Sequence, residues 1–153
     1  MKTDEEALQL INECFGGLEK PEHFTNYQHC EECFEHNETL RSRDVSTLSI
    51  EDVGNICWQP ISFSTPEGVS YYMPALAKLS LEPPTYNYGW YGETLGIHLS
   101  FNEEKNRIYN YCSEKQKNAI SAFIKYIEES RGHLLGVEEQ REEFKTLAEK
   151  WAS

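Results

Sequence analysis

No apolar run in this chain approaches the roughly 18 residues that a membrane-spanning helix needs. The opening "MKTDEEALQL" also lacks the basic and apolar regions of a secretory signal. The expectation is a cytoplasmic protein with no membrane contact. A basic patch is missing too. Lys and Arg number 14 against 26 Asp and Glu, a net charge of -12, and the densest basic stretch, "LRSRD" at 40–44, ends on an aspartate. Such a surface repels a phosphate backbone, which argues against nucleic acid and leaves plain solubility or a basic protein partner. The cysteines, at 14, 30, 33, 57 and 112, are odd in number and form no regular framework. In a cytoplasmic chain that points to free thiols or metal ligands over structural disulfides. Hydrolase and phosphate-loop signatures are absent, and the three glycines of "GWYGETLG" at 89–96 do not have dinucleotide-binding spacing. No complete catalytic constellation can be read, which leans away from an enzyme.

What is present reads as helix. At 153 residues, with 39% hydrophobic and 12% aromatic residues, the chain can hide roughly 70% of its unfolded surface in one core. "TDEEALQLINECFGG" puts Ala7, Ile11, Cys14 and Phe15 at helical spacing behind a Thr3 cap, and Gly16 and Gly17 stop it. A second helix is expected from about Tyr27 to Leu40. "LSIEDVGN" begins a short one capped by Ser49 and Asp52. Thr65 or Ser64 caps another that has Pro66 in its first turn, and Pro74 inside it predicts a kink or a break. "TLGIHLSF" fits a strand and a helix equally. Ser113 and Gln116 form a capping box for a helix ending at Gly132, and Val137 to Trp151 makes the last. With no internal repeat and no long linker, the fold class is mainly α: one compact helical domain over 1–153, with room for one small β-hairpin.

The densest chemistry lies in "HCEECFEH" at 29–36. On a helix, His29, Cys33, His36 and Leu40 share a stripe with Cys30 beside it, while Glu31, Glu32, Glu35 and Glu38 lie opposite. Packing is the commonest use of such a face. The alternative is a zinc site drawn from His29, Cys30, Cys33 and His36. His29 and His36 stand about 10 Å apart along a helix axis, too far to share one ion easily. Two or three of the four therefore bind together, and a ligand completing the site would come from Cys57, His23, Cys112, His98 or His133. A C-x2-C knuckle is weak without turn-forming residues or a second pair. Redox chemistry ranks last, because Glu31 and Glu32 between the thiols should raise their pKa values. A Cys33–His36 nucleophile pair lacks a third group. "YNYGWYGE" adds Tyr86, Tyr88, Trp90 and Tyr91 in an expected loop, where they can contact a partner, although folding back over the core is the commoner arrangement.

Together "PEHFTNYQHCEECFEHNETL" at 21–40, "WQPISFSTPEGVSYYMPALAKLSL" at 58–81 and "SEKQKNAISAFIKYI" at 113–127 resemble a family of small, mostly bacterial proteins classed as a domain of unknown function. The family pattern is matched by His29, Cys30, Glu32, Cys33, Pro66, Glu67, Tyr71, Tyr72, Pro74 and Ala75. The resemblance implies a shared fold and carries no activity. Three functions remain open: a non-catalytic, immunity- or inhibitor-like domain for a basic protein partner, a zinc-binding domain built on Cys30, Cys33, His36 and a distant ligand, and an unrecognised enzyme. The first has the most support in charge and composition.

Overall fold

The computed structural model describes residues 3–152, with every side chain among them except that of Glu103. Among these residues there are nine α-helices, two short 3-10 turns at Glu103–Lys105 and Gly132–Leu134, and no strand. The single strand-like contact is an antiparallel bridge between Thr85 and Gly89. It closes a tight turn and does not extend into a hairpin.

Most helix starts follow their caps. Helix α1 (Asp4–Phe15) begins where Thr3 Oγ1 accepts the Glu6 N–H at 3.1 Å. Helix α3 (Ile50–Val53) is entered through the Asp52 carboxylate, which accepts the Ser49 N–H. Helix α8 (Glu114–Arg131) has the full reciprocal box, with Ser113 N–H to Gln116 at 2.9 Å and Gln116 N–H to Ser113 at 3.2 Å. Helix α5 (Pro66–Leu81) starts at Thr65, with Pro66 in its first turn. Pro74 does not split it. The helix runs unbroken for 16 residues, although Pro74 has no N–H to offer the Ser70 carbonyl. Both faces of α5 are buried around this point, so packing holds the turn that proline weakens.

Residues 91–100 are helical. In α6 (Tyr91–Ser100), Tyr91, Leu95, His98 and Leu99 are buried while Ile97 and Phe101 face outward, the 3.6-residue period rather than the two-residue one. Helices α4 (Pro60–Phe63) and α7 (Arg107–Tyr111) complete the set with α2 (Glu31–Arg41) and α9 (Glu138–Ala152). Arg107 closes the end of α4, its guanidinium donating to the carbonyls of Ile61, Ser62 and Ser64.

Helix α5 is the centre of the core. Its residues Val69, Tyr72, Met73 and Leu76 join Ile11 and Phe15 of α1, Leu95 of α6 and Ile120, Phe123 and Ile127 of α8 in one buried cluster. Helix α9 lies over α6 and α8, its Trp151 indole donating to the Leu99 carbonyl at 3.1 Å. Gly96 lets α6 approach α9: a Cβ there would stand 2.7 Å from Phe144 Cζ. Gly96→Val should therefore cost about 1–3 kcal/mol by overpacking, read as a lowered urea midpoint with an unchanged m-value.

Candidate metal centre

Helix α2 begins four residues later than the sequence pattern suggests. Residues 27–29 form a turn, with the His29 N–H donating to the Asn26 carbonyl at 3.0 Å. The helix opens at Glu31, and Cys30 is its N-cap, with φ -160° and ψ 171°. The Cys30 sulfur accepts the Cys33 N–H at 3.3 Å, the bond that Ser or Thr usually makes in this position. The reason lies in the preceding segment. Asn37, buried on α2, accepts the N–H groups of Phe24 at 2.7 Å and Thr25 at 3.1 Å through Oδ1. The Thr25 hydroxyl donates to the Cys33 carbonyl at 2.6 Å. An irregular segment held against the side of α2 cannot also be its first turn.

This placement gathers His29, Cys30 and Cys33. One ligand atom from each lies within 4.8 Å of the others, so the group can hold a metal ion. The two sulfurs are 3.1 Å apart, and His29 Nδ1 is 3.6 Å from the Cys33 sulfur. In a tetrahedral zinc site, bond lengths of about 2.3 Å to sulfur and about 2.0–2.1 Å to nitrogen set a sulfur–nitrogen edge of about 3.5 Å. His29 already meets that spacing to the Cys33 sulfur. The sulfurs would open by about 0.7 Å to reach their own edge of about 3.8 Å. His29 and Cys30 are exposed and Cys33 is 6% exposed, so the group sits at the surface with one sulfur turned inward.

His36 does not join them. It is 0% exposed, its ring wedged between Trp58 and Phe63 with centroids at 4.4 and 4.7 Å. Its Nε2 lies 3.1 Å from the Glu32 carboxylate, one turn back on the same helix. The four-residue set therefore reduces to three. The helix stripe that links Cys33 to His36 points His36 into the protein, while His29 arrives from the turn before the helix. None of the other candidate ligands enters the group. His23 stacks on Tyr27 and meets Asn37 Nδ2 at 3.1 Å. Cys57 is exposed in its own turn. Burial drives the His98 pKa down to about 4, with Arg107 adding to the effect, and lifts the Cys112 thiol to about 11. His133 is exposed at the end of α8.

The two thiols differ electrostatically. Hydrogen bonds from the Cys33 thiol and then the Cys33 backbone, with a contribution from His29, bring the Cys30 pKa down to about 7. The Cys33 thiol is pushed up, chiefly by its hydrogen bond to Cys30, then by burial and by the Cys30 and Glu32 charges. The rise expected for both cysteines thus holds for one. The neighbouring Cys33 thiol reverses the other, helped by the Cys33 N–H that the Cys30 cap accepts.

The aromatic candidates also separate. Tyr86 is fully exposed at the tip of the Thr85–Gly89 turn, and Tyr88 donates its hydroxyl to Glu51 at 2.9 Å. Trp90 and Tyr91 are taken into the core at 4% and 2% exposure, the Trp90 indole donating to the Ser80 carbonyl. They sit at the start of α6, and a helix there has to bury its first turn against α5.

Asn37→Ala would leave the Phe24 and Thr25 N–H groups buried without an acceptor. The expected loss is about 1–3 kcal/mol of stability, together with a tenfold or greater loss of metal affinity, the scale of about 10–100-fold seen when a supporting bond is removed. Urea unfolding and a zinc-competition titration measure the two effects separately.

No family model, curated protein or solved structure matches this chain, so the roles of these residues rest on their geometry.

Proposed function

We propose that the protein is a small, non-catalytic zinc-binding domain whose ion is held by His29, Cys30 and Cys33. The observation that carries this reading is the convergence of three ligand atoms of the right chemistry within 4.8 Å at one helix start. Thiolate and imidazole are the ligands that favour zinc over magnesium or calcium, which take oxygen. Three protein ligands leave the fourth bond of a tetrahedral ion to water or to a side chain of another molecule. The catalytic alternative gains no support from the 790 Å³ cavity of this fold. That cavity is lined by Gly96, Leu99, Phe144, Leu147 and Trp151 on α6 and α9, away from all three ligands.

A partner-binding role of the immunity or inhibitor kind keeps two supports. The net charge of -12 suits a basic partner, and the fully exposed Tyr86 is an aromatic side chain presented on a closed turn. Trp90 and Tyr91 no longer contribute to it. The two roles are compatible, because a partner side chain could supply the fourth ligand.

Protein prepared without chelator should contain about one zinc per chain by elemental analysis. Cys33→Ala should lose the metal, whereas His36→Gln should keep it. Zinc at 100 times its dissociation constant should stabilise the wild type by about 2.7 kcal/mol and leave Cys33→Ala unmoved. A metal-free wild type that zinc does not stabilise would remove this reading.

A further inference from the structure

The two sulfurs are paired more closely than metal binding requires. Their 3.1 Å separation lies between a zinc-site edge of about 3.8 Å and the disulfide bond of about 2.05 Å. Access to them is unequal: Cys30 is exposed at the helix entrance and Cys33 is buried behind it. The Cys30 sulfur also sits at the entrance of an eleven-residue helix, where it accepts the Cys33 N–H. Glu32, one of the two anions between the cysteines in sequence, turns toward His36 instead.

We propose that the Cys30–Cys33 pair carries out thiol–disulfide exchange with small, solvent-accessible disulfides. Cys30 is the attacking sulfur and Cys33 the resolving one. The Cys30 sulfur, having released its proton to water, bonds to one sulfur of the external disulfide. That S–S bond breaks, and the departing thiolate takes up a proton. The Cys33 sulfur then gives up its proton and attacks Cys30, expelling the second external thiol, which is protonated in turn. Two protein thiols become one disulfide and one external disulfide becomes two thiols. Two electrons pass to the external disulfide, and no other oxidant is needed. The closing step brings together sulfurs that start about 1 Å beyond bonding distance. The exchange stands apart from the zinc reading, since an ion held by both sulfurs would block it.

Reduced protein freed of metal by chelator and then mixed with glutathione disulfide tests this by intact mass. The wild type should lose two hydrogens and keep no lasting adduct. Cys33→Ser should accumulate a single glutathione adduct, and peptide mapping should place it on Cys30. Cys30→Ser, in which serine preserves the helix cap, should react about tenfold more slowly or worse. Cys57, also exposed but in a separate turn, is the internal control. Labelling of Cys57 or Cys33 at or above the rate of Cys30, or a stable adduct on the wild type with no internal disulfide, would overturn the proposal. Repeating the reaction with zinc present separates the two readings. Protection by zinc supports the metal site, and unprotected exchange removes the metal site alone. Zinc binding in a protein whose metal-free form does not exchange removes the exchange alone.

Discussion

The buried amide of Asn37 is the constraint on which this site depends. Its oxygen accepts two successive backbone N–H groups, those of Phe24 and Thr25, and so ties an irregular segment to the flank of α2. The Phe24 carbonyl passes the restraint on by accepting the Thr65 N–H at 2.7 Å, which fixes the same segment to the entrance of α5. At the other end of α2, the Tyr72 hydroxyl donates to the Leu40 carbonyl at 2.5 Å from within the core. Helix α2 is thereby tied to the central helix, through the 24–25 segment on one side and through Leu40 at its C-terminal end. A shift of one residue would turn a sulfur by about 100° and scatter the three ligand atoms. Preorganisation of this kind is what allows three side chains, two of them exposed, to converge.

The two roles proposed for this one pair of thiols exclude each other. Zinc takes both sulfurs as thiolates and opens the distance between them, whereas a disulfide closes it. Which prevails depends on free zinc and on the reducing power around the protein. Glu32 and His36 form a separate layer beside the site: the buried imidazole meets the carboxylate on one side and two aromatic rings on the others. That contact ties the Glu32 carboxylate to His36, while its charge still acts on the Cys33 thiol.

Much of the fold is legible in local sequence because capping chemistry is local. Thr3, Ser49, Thr65 and Ser113 each mark a helix start within a residue or so, and Gly16 and Gly132 mark two of the ends. Tertiary contacts decide the remainder. Packing on both faces of α5 carries the helix through Pro74, and burial of one face of α6 selects helix over strand for a segment whose pattern allows either. The site is half legible. The cluster at 29–36 is visible in composition, but the helix that the pattern extends back over His29 begins only at Glu31, so His29 joins the group from a turn. The placement of Cys30 at the cap is not visible there, since it depends on Asn37 reaching back 13 residues to Phe24. A cysteine as N-cap is also an uncommon signal, so the lowered thiol pKa could be found only with the helix start in place. The aromatic run at 86–91 divides for a similar reason, because the sequence does not mark where its turn ends and α6 begins.

X-ray absorption at the zinc edge of the loaded protein tests the central claim most directly, because it reads the identity and distance of the atoms around the ion. The account predicts two sulfur neighbours at about 2.3 Å and an imidazole nitrogen at about 2.0–2.1 Å, with one further light atom. A first shell of oxygen and nitrogen without sulfur would contradict it.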